Sequence, residues 1–224
     1  MRGKLIVIEG TDASGKETQS NLLKTNLEKE KIKVFKTQFP RYDTPTGKIV
    51  GGPYLGKSQI CKSYFEEGAT NVDPRVASLY YAADRLYNIK EIEDKLKKGY
   101  VVILDRYIES NMAHQGSKLK EKQRKELFKF FEELEYKLLK LPKPDLVVFL
   151  HMPEEYSYKL KMDRNDLDEH EKSREHLKQA EKTYLELAKI YGFKTVNCIE
   201  KESIRSIDDI SKDVLKIVKE ELNG

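Results

Sequence analysis

The chain has 224 residues, 38% hydrophobic and 36% charged, with a formal net charge of +4 at pH 7. That length suits one larger α/β domain or two small ones, and the interspersed charge argues against a nucleic-acid or membrane partner. The only cysteines, Cys61 and Cys198, indicate no disulfide framework and no metal-ligand spacing, and apolar runs such as Leu146 to Leu150 fall far short of a membrane span. A reducing, cytoplasmic location is expected. The chain enters a strand almost at once, so no signal peptide is expected either.

The first element, Leu5–Ile8, is a short apolar run that reads as a strand. Gly10-Thr11-Asp12-Ala13-Ser14-Gly15-Lys16 follows, and then a segment of helical character. Gly10 and Gly15 let the backbone turn tightly and present N–H groups to phosphate oxygens. The helix after them points its positive end at the same anion, and Lys16 adds a cation that reaches the outer phosphates. Strand, loop and helix together imply binding of a nucleoside triphosphate. The residue after the lysine is usually Ser or Thr, whose hydroxyl holds Mg2+. Here it is Glu17, with Thr18 next. The carboxylates of Asp12 and Asp105 are therefore expected to help hold the metal, directly or through water.

Val34–Thr37 is the second strand, followed by Phe39-Pro40-Arg41-Tyr42 and Gly47. The proline stiffens this loop, and Arg41 and Tyr42 suit an anion and an aromatic base. A helix is expected around Val76–Ile92. Tyr81 and Arg85 lie four apart and share a face there, either as a clamp for a flat polar ring or as a surface Tyr–Arg contact. The tyrosines of this helix also admit a dimer surface. Val101–Leu104 is the third strand. Asp105 at its end can orient a metal or its water, and Arg106 can grip a phosphate bidentately. Ser110, Asn111, His114, Gln115 and Gly116 follow. The Asn111 amide offers a donor and an acceptor to a base edge, whereas His114 alone reads as structural.

Lys118–Leu141 is helical, with Leu127, Phe130, Phe131, Leu134 and Leu138 on one core stripe. Leu146–Leu150 is the fourth strand. Lys159, Lys161 and Arg164, then Asp168 and Glu171, form a polar segment that is either a solvated helix and turn or a lid. A lid would bring cations to the transferring phosphate and exclude water, a competing acceptor. Lys194–Asn197 is the fifth strand. Ser206 caps a last helix with Ile207, Ile210, Val214, Ile217, Val218 and Leu222 as its core face.

Strand–helix alternation over this length predicts an α/β fold with a parallel sheet flanked by helices. Ligands then bind beyond the C-terminal strand ends, which selects Gly10–Thr18, Pro40–Gly47, Asp105–Gly116 and the segment after His151. There is no Ser/His/Asp arrangement and no zinc spacing. A nucleoside monophosphate acceptor needs neither, because its phosphate is largely dianionic above its second pKa of about 6. Catalysis is then positioning and charge neutralisation.

In order, these segments resemble the thymidylate (dTMP) kinase family: the Gly10–Lys16 loop, Phe39-Pro40-Arg41-Tyr42, Ala83-Asp84-Arg85, Asp105-Arg106-Tyr107 with Ser110-Asn111, and Asp168 with Glu171 after a basic stretch. The likeness runs from Leu5 to about Leu187. It implies a P-loop nucleoside monophosphate kinase fold with a five-stranded parallel sheet, one domain spanning 1–224, and a lid around 159–172. It also implies ATP-dependent conversion of dTMP to dTDP with Mg2+, in nucleotide biosynthesis, by a homodimer. Carried over by motif, Gly10 to Thr18 would bind ATP, with Lys16 on the donor phosphates. Asp12 would sit near the acceptor sugar and the metal. Tyr81 would stack on thymine, and Arg85 and Asn111 would hydrogen-bond it. Arg106 would hold the acceptor phosphate, bordered by Tyr42, with Asp105 placing that phosphate or the metal. Asp168 and Glu171 would reach the metal through water.

Two departures from the family pattern matter. Where some members carry a catalytic arginine in the P-loop, this chain has Ala13 and Ser14, so the cation is expected from the lid, with Arg164 the first choice. Where a tyrosine commonly stands and helps to exclude a ribose 2′-hydroxyl, this chain has His114. The alternatives are a kinase for another monophosphate, a deoxynucleoside kinase with Glu9 as general base, and a P-loop NTPase switch. The sequence has no Asn-Lys-x-Asp motif for guanine, and its third strand ends in Asp-Arg rather than Asp-Glu.

Overall fold

The computed structural model describes residues 2–162 and 174–224. Five parallel strands form the sheet: β1 (Leu5–Gly10), β2 (Val34–Gln38), β3 (Val101–Asp105), β4 (Leu146–His151) and β5 (Lys194–Asn197), in the order β2-β3-β1-β4-β5. Each expected strand is present, and none is displaced by more than two residues at either end. The two central strands are buried throughout, as continuous apolar runs require when both faces are covered.

Alternation along the strands divides the core into two layers. Leu5, Val7, Val102, Leu104 and Phe149 face one side. They pack with α3 (Pro74–Lys97), α4 (Ile108–Gly116), α5 (Glu121–Phe131) and α7 (Arg174–Tyr191). Ile6, Ile8, Val101, Ile103, Val148 and Leu150 face the other side, against α1 (Lys16–Lys29) and α8 (Ile207–Asn223). The helix ends carry side-chain caps where the sequence supplies them. Asp73 accepts from the amides of Arg75 and Val76, and Ser206 from that of Asp209. The short α2 (Pro45–Ile49) runs into a π-helical turn at Val50–Tyr54, and α6 (Glu154–Met162) follows β4.

Two expectations need correction, and one element is new. The helix begun by α5 widens into a π-helix over Glu132–Leu138. The extra residue per turn rotates the apolar stripe, so Leu138 is 72% exposed and Glu135 takes the buried place. Ile207 is 57% exposed because it stands at the first turn of α8, beyond the edge of the layer that buries Ile210, Val214 and Val218. A short antiparallel pair that the sequence did not announce, β6 (Ile199–Glu200) and β7 (Ser203–Ile204), lies between β5 and α8. Among the described residues no helix is long and apolar enough to cross a membrane.

Candidate active site

The phosphate end of the site is built where β1 stops. A Cβ on Gly10 would come within 2.5 Å of Ser14 Oγ and 2.7 Å of the Leu150 carbonyl, so the loop can fold back only over a glycine. Gly15 turns into α1 with φ 82°, a left-handed conformation that glycine adopts without penalty. Thr11 Oγ1 donates to the Met152 carbonyl (3.0 Å) and ties the loop to the end of β4. The ammonium of Lys16 is buried and donates to the Thr11 carbonyl at 2.7 Å. Burial, reinforced by the positive charge of Arg106, pushes its pKa down to about 8, against the pull of Asp12 and Asp105.

The next strand supplies the second cation. β3 ends at Asp105, and Arg106 follows with φ 65°, unusual for a residue with a side chain. Its amide donates to the Ile8 carbonyl (3.1 Å) and fixes this turn against β1. The guanidinium pairs with Asp12 and donates from Nη1 to Ser110 Oγ at 3.3 Å. Burial opposes the charge most, but Asp12 together with Tyr184, Glu9 and Asp105 outweighs it and holds Arg106 well above its usual pKa.

Behind this turn lies Glu9, fully buried. Its Oε1 accepts from the amides of Tyr107 (2.9 Å) and Ser110 (3.0 Å), and its Oε2 from Ser110 Oγ (2.6 Å) and Tyr184 Oη (2.9 Å). Glu9 does not line the cleft. A carboxylate with both oxygens taken cannot receive a 5′-hydroxyl proton, which removes the basis for a deoxynucleoside kinase.

A cleft of about 320 Å³ runs from the P-loop to α3 and α4. Asp12, Ala13, Gly15, Lys16, Glu17 and Thr18 line one end, with Asp105 and Arg106. Tyr42, Tyr81, Arg85, Asn111 and His114 line the rest. Gly10, Thr11 and Ser14 belong to the loop but do not line the cleft. Arg164, Asp168, Glu171 and the side chain of Lys161 lie outside the described residues.

At the far end Arg85 is buried and paired with Glu135, which accepts from its Nε (2.6 Å) and Nη2. Burial disfavours the Arg85 charge, and Glu135 more than restores it. Tyr81 stands edge-on to Tyr54, their ring centroids 5.8 Å apart. The Asn111 side chain is buried, and among the described residues neither its amide nitrogen nor its oxygen has a hydrogen-bond partner. Such a group is costly unless a ligand completes it. His114 reaches His176 on α7, Nδ1 to Nε2, at 3.3 Å.

Arg41 turns away from the cleft, because Asp43 and Glu91 hold its guanidinium. Its amide is bound by the buried Asp84, which also accepts from Thr46 Oγ1 and Asn88 Nδ2, both at 2.9 Å. Asp84 thus anchors the Arg41–Thr46 loop to α3. Three cleft residues carried no signal in the sequence, Gln38, Leu55 and Lys57, and Lys57 Nζ lies 5.1 Å from the centre of the Tyr42 ring. Among the described residues no three His, Cys, Asp or Glu side chains gather as a metal site. Mg2+ is commonly held by one or two carboxylates together with substrate phosphates, so Asp12 and Asp105 fit an ion that arrives with a nucleotide.

A cleft with cations and a P-loop at one end and an amide-lined, aromatic far end, on a parallel sheet of this strand order, defines a P-loop nucleoside monophosphate kinase. The thymidylate kinase family model matches residues 8–210. The chain is 30% identical to "Probable thymidylate kinase" of Pyrococcus abyssi and 32% identical to that of Pyrococcus horikoshii, covering 100% of both chains in each case. A solved thymidylate kinase from Candida albicans superimposes with a TM-score of 0.76 at 28% identity, over 99% of this chain and 93% of that one. The chain belongs to the thymidylate kinase family.

Proposed function

We propose that the protein transfers the terminal phosphoryl group of ATP to dTMP and forms dTDP. The observation that carries this reading is the buried, unpartnered amide of Asn111 at the far end of a cleft whose near end holds Lys16 and Arg106. An amide offers a donor and an acceptor side by side, which matches the carbonyl and N–H of a thymine edge. Arg85 offers donors only. It therefore favours the thymine carbonyl over the amino group that cytosine has at the same place. Tyr81 stacks on the base, and His114 borders the sugar.

In this reading Arg106 exchanges Asp12 for the acceptor phosphate. Lys16 exchanges the Thr11 carbonyl for the donor phosphates, cradled by the Gly10–Thr18 loop. Asp12 and Asp105 hold Mg2+, which when bound neutralises charge between the phosphates. Tyr42 borders the acceptor phosphate. The dianionic phosphate attacks without a general base, so the protein contributes alignment, charge and exclusion of water. A lid around 159–172 supplies the exclusion, with Arg164 as the cation on the transferring group and Asp168 and Glu171 on the metal's waters. Arg164→Ala is expected to lower turnover with ATP and dTMP by about 10³-fold or more while leaving dTMP affinity nearly unchanged. Near-normal turnover would move the cation to Lys159 or Lys161.

The same reading makes the chain one domain and a cytoplasmic homodimer. Along α3, Val76, Leu79, Leu86 and Tyr87 are exposed, an apolar face of the kind that a second copy covers. Sedimentation velocity is expected to give a dimer that Leu79→Glu converts to monomer.

The assignment is tested by ADP release with Mg·ATP and dTMP, dUMP, UMP, dGMP, AMP or thymidine. A strong preference for dTMP is expected. The Candida albicans relative is described as having broad substrate specificity, which makes the panel informative. Turnover of thymidine, or ADP release without an acceptor, in place of dTMP turnover would reject the assignment.

A further inference from the structure

The helix that begins as α5 gives up apolar burial in order to bury an acid. Continued as an α-helix from the buried Phe131, it would place Leu134 and Leu138 next on its core face. The π-turn at Glu132–Leu138 carries Glu135 inward instead and leaves Leu138 exposed. Glu135 is 0% exposed, and it meets Arg85 of α3, which is 1% exposed. A buried ion pair gives no more stability than two well-packed apolar side chains of similar size, and often less. Stability alone therefore does not account for the pair, and π-turns inside α-helices are frequent at functional sites.

The nitrogens that the pair uses show what it does. A guanidinium is planar and carries five N–H groups in a fixed fork. Glu135 Oε2 accepts from Arg85 Nε (2.6 Å), and Oε1 accepts from Nη2. Two parallel bonds fix the plane and the direction of the fork, as one bond does not. Arg85 lines the cleft and Glu135 does not, and among the described residues Nη1 of Arg85 has no hydrogen-bond partner. The carboxylate thus holds one edge of the guanidinium and leaves Nη1, with both of its N–H groups, for a ligand.

We propose that Glu135 is a positioning residue that keeps its grip on Arg85 while the acceptor is bound, so that Nη1 meets the base in one fixed orientation and the site takes a base carbonyl and rejects an amino group. This rests on the contact between Arg85 and the thymine carbonyl proposed above. A guanidinium free to turn swings aside from an amino group. A held one cannot, so Glu135, outside the cleft, sets how strictly thymine is told from cytosine. Arg85 then differs from Arg106, which gives up its carboxylate when the nucleotide arrives.

Arginine Nε–H correlation (¹H–¹⁵N) of the full-length protein reads the pair directly. The Arg85 signal is identified by its loss in the double variant Arg85→Met with Glu135→Leu. It is expected at the position of a carboxylate-bound Nε–H in the free protein, and to stay there when dTMP saturates the site. Glu135→Gln keeps the size of the side chain but replaces one acceptor by a donor that faces the guanidinium. It is expected to raise KM for dTMP about tenfold or more, to leave KM for ATP unchanged and to lower the preference for dTMP over dCMP by a similar factor. An Arg85 Nε–H that leaves its paired position as dTMP binds means that the base takes the place of Glu135, and overturns the proposal. Equal rises in KM for dTMP, dCMP and ATP, the mark of a general loss of structure, overturn it too. If Glu135→Gln does not fold, the dTMP titration of the wild-type protein decides alone. A wild-type protein that turns over no monophosphate rejects the proposed function, and this proposal with it. One that uses dTMP while the pair opens rejects this proposal only.

Discussion

The two ends of the cleft treat buried polar groups differently. At the phosphate end Lys16 leans on the Thr11 carbonyl and Arg106 on Asp12. At the nucleoside end Asn111 has both amide atoms buried without a partner among the described residues, and elsewhere on α4 the buried Glu109 Oε2 is likewise unpaired among them. The difference follows from charge. An unpaired buried ion costs far more than an unpaired neutral group, so charged groups need substitutes while the site is open, and neutral ones can wait. In the proposed reading, binding at the phosphate end is an exchange of partners, whereas at the nucleoside end it completes bonds that were missing.

The hardest test of this contrast is at Arg106. Arg106→Ala removes the proposed phosphate clamp and the ion pair with Asp12. The expected loss in kcat/KM for dTMP is about a thousandfold, measured by ADP release. Unchanged dTMP kinetics would mean that Arg106 serves only Asp12. Arg85 is the exception that sharpens the rule, a charge at the nucleoside end that does have its partner. Arg85→Ala strands Glu135 in the core and is expected to cost about 3–5 kcal/mol in urea unfolding. The double variant Arg85→Met with Glu135→Leu should recover most of that stability without recovering dTMP use. A double variant as unstable as Arg85→Ala would show that loss of packing, not a stranded charge, is the cause.

Glu109 tests whether waiting groups must be neutral. Burial, with added repulsion from Glu9, pushes its pKa up from 4.5 to about 7. The folded protein then holds a proton that the unfolded chain has already lost. The stability this proton brings is present below 4.5 and is lost as pH rises to about 7. Replacing the acid by Glu109→Gln removes the loss. The unfolding free energy of this variant minus that of the wild type should grow by about 3 kcal/mol over that window and be flat above it. A difference that does not change with pH would mean that Glu109 stays ionised. The smallest effect is expected at Asn111. Asn111→Leu should leave stability unchanged or raise it by about 1 kcal/mol, while KM for dTMP rises about tenfold. A loss of stability without any change in KM would make the amide structural.

Local patterns in the chain carried much of this arrangement. Five β-like runs matched five strands; β1, β3 and β4 stand out as apolar runs because the sheet interior covers both their faces, while β2 and β5 are the more polar edges. The P-loop and Asp105-Arg106 are strand-end features, so their place in the fold follows from the strand. What was illegible depends on long-range choices. Sequence puts Arg41 beside Tyr42, but only the fold shows that Asp43 and Glu91 draw Arg41 away from the cleft. Glu135 lies 50 residues from Arg85 and enters the core through a π-turn. The one hint was an acid within an apolar stripe. Leu55, Lys57 and His176 come from segments with no motif. His114 read as structural by itself and as a site residue only through the family likeness. In the fold it lines the cleft and is hydrogen-bonded to His176 on α7.

Glu9 has a consequence for how the protein is made. A ribosome delivers β1 first, and Tyr107 and Ser110 follow in the first half of the chain. Tyr184, the last of the three residues that donate to Glu9, is 175 residues downstream of it. A nascent chain that already owns its P-loop and Arg106 still has one side of this carboxylate open to water. The emergence of α7 closes it. Catalytic competence is thus among the last properties the growing polypeptide acquires, and a truncated product of stalled translation would carry the loop that grips phosphate without the helix that seals the ground beneath it.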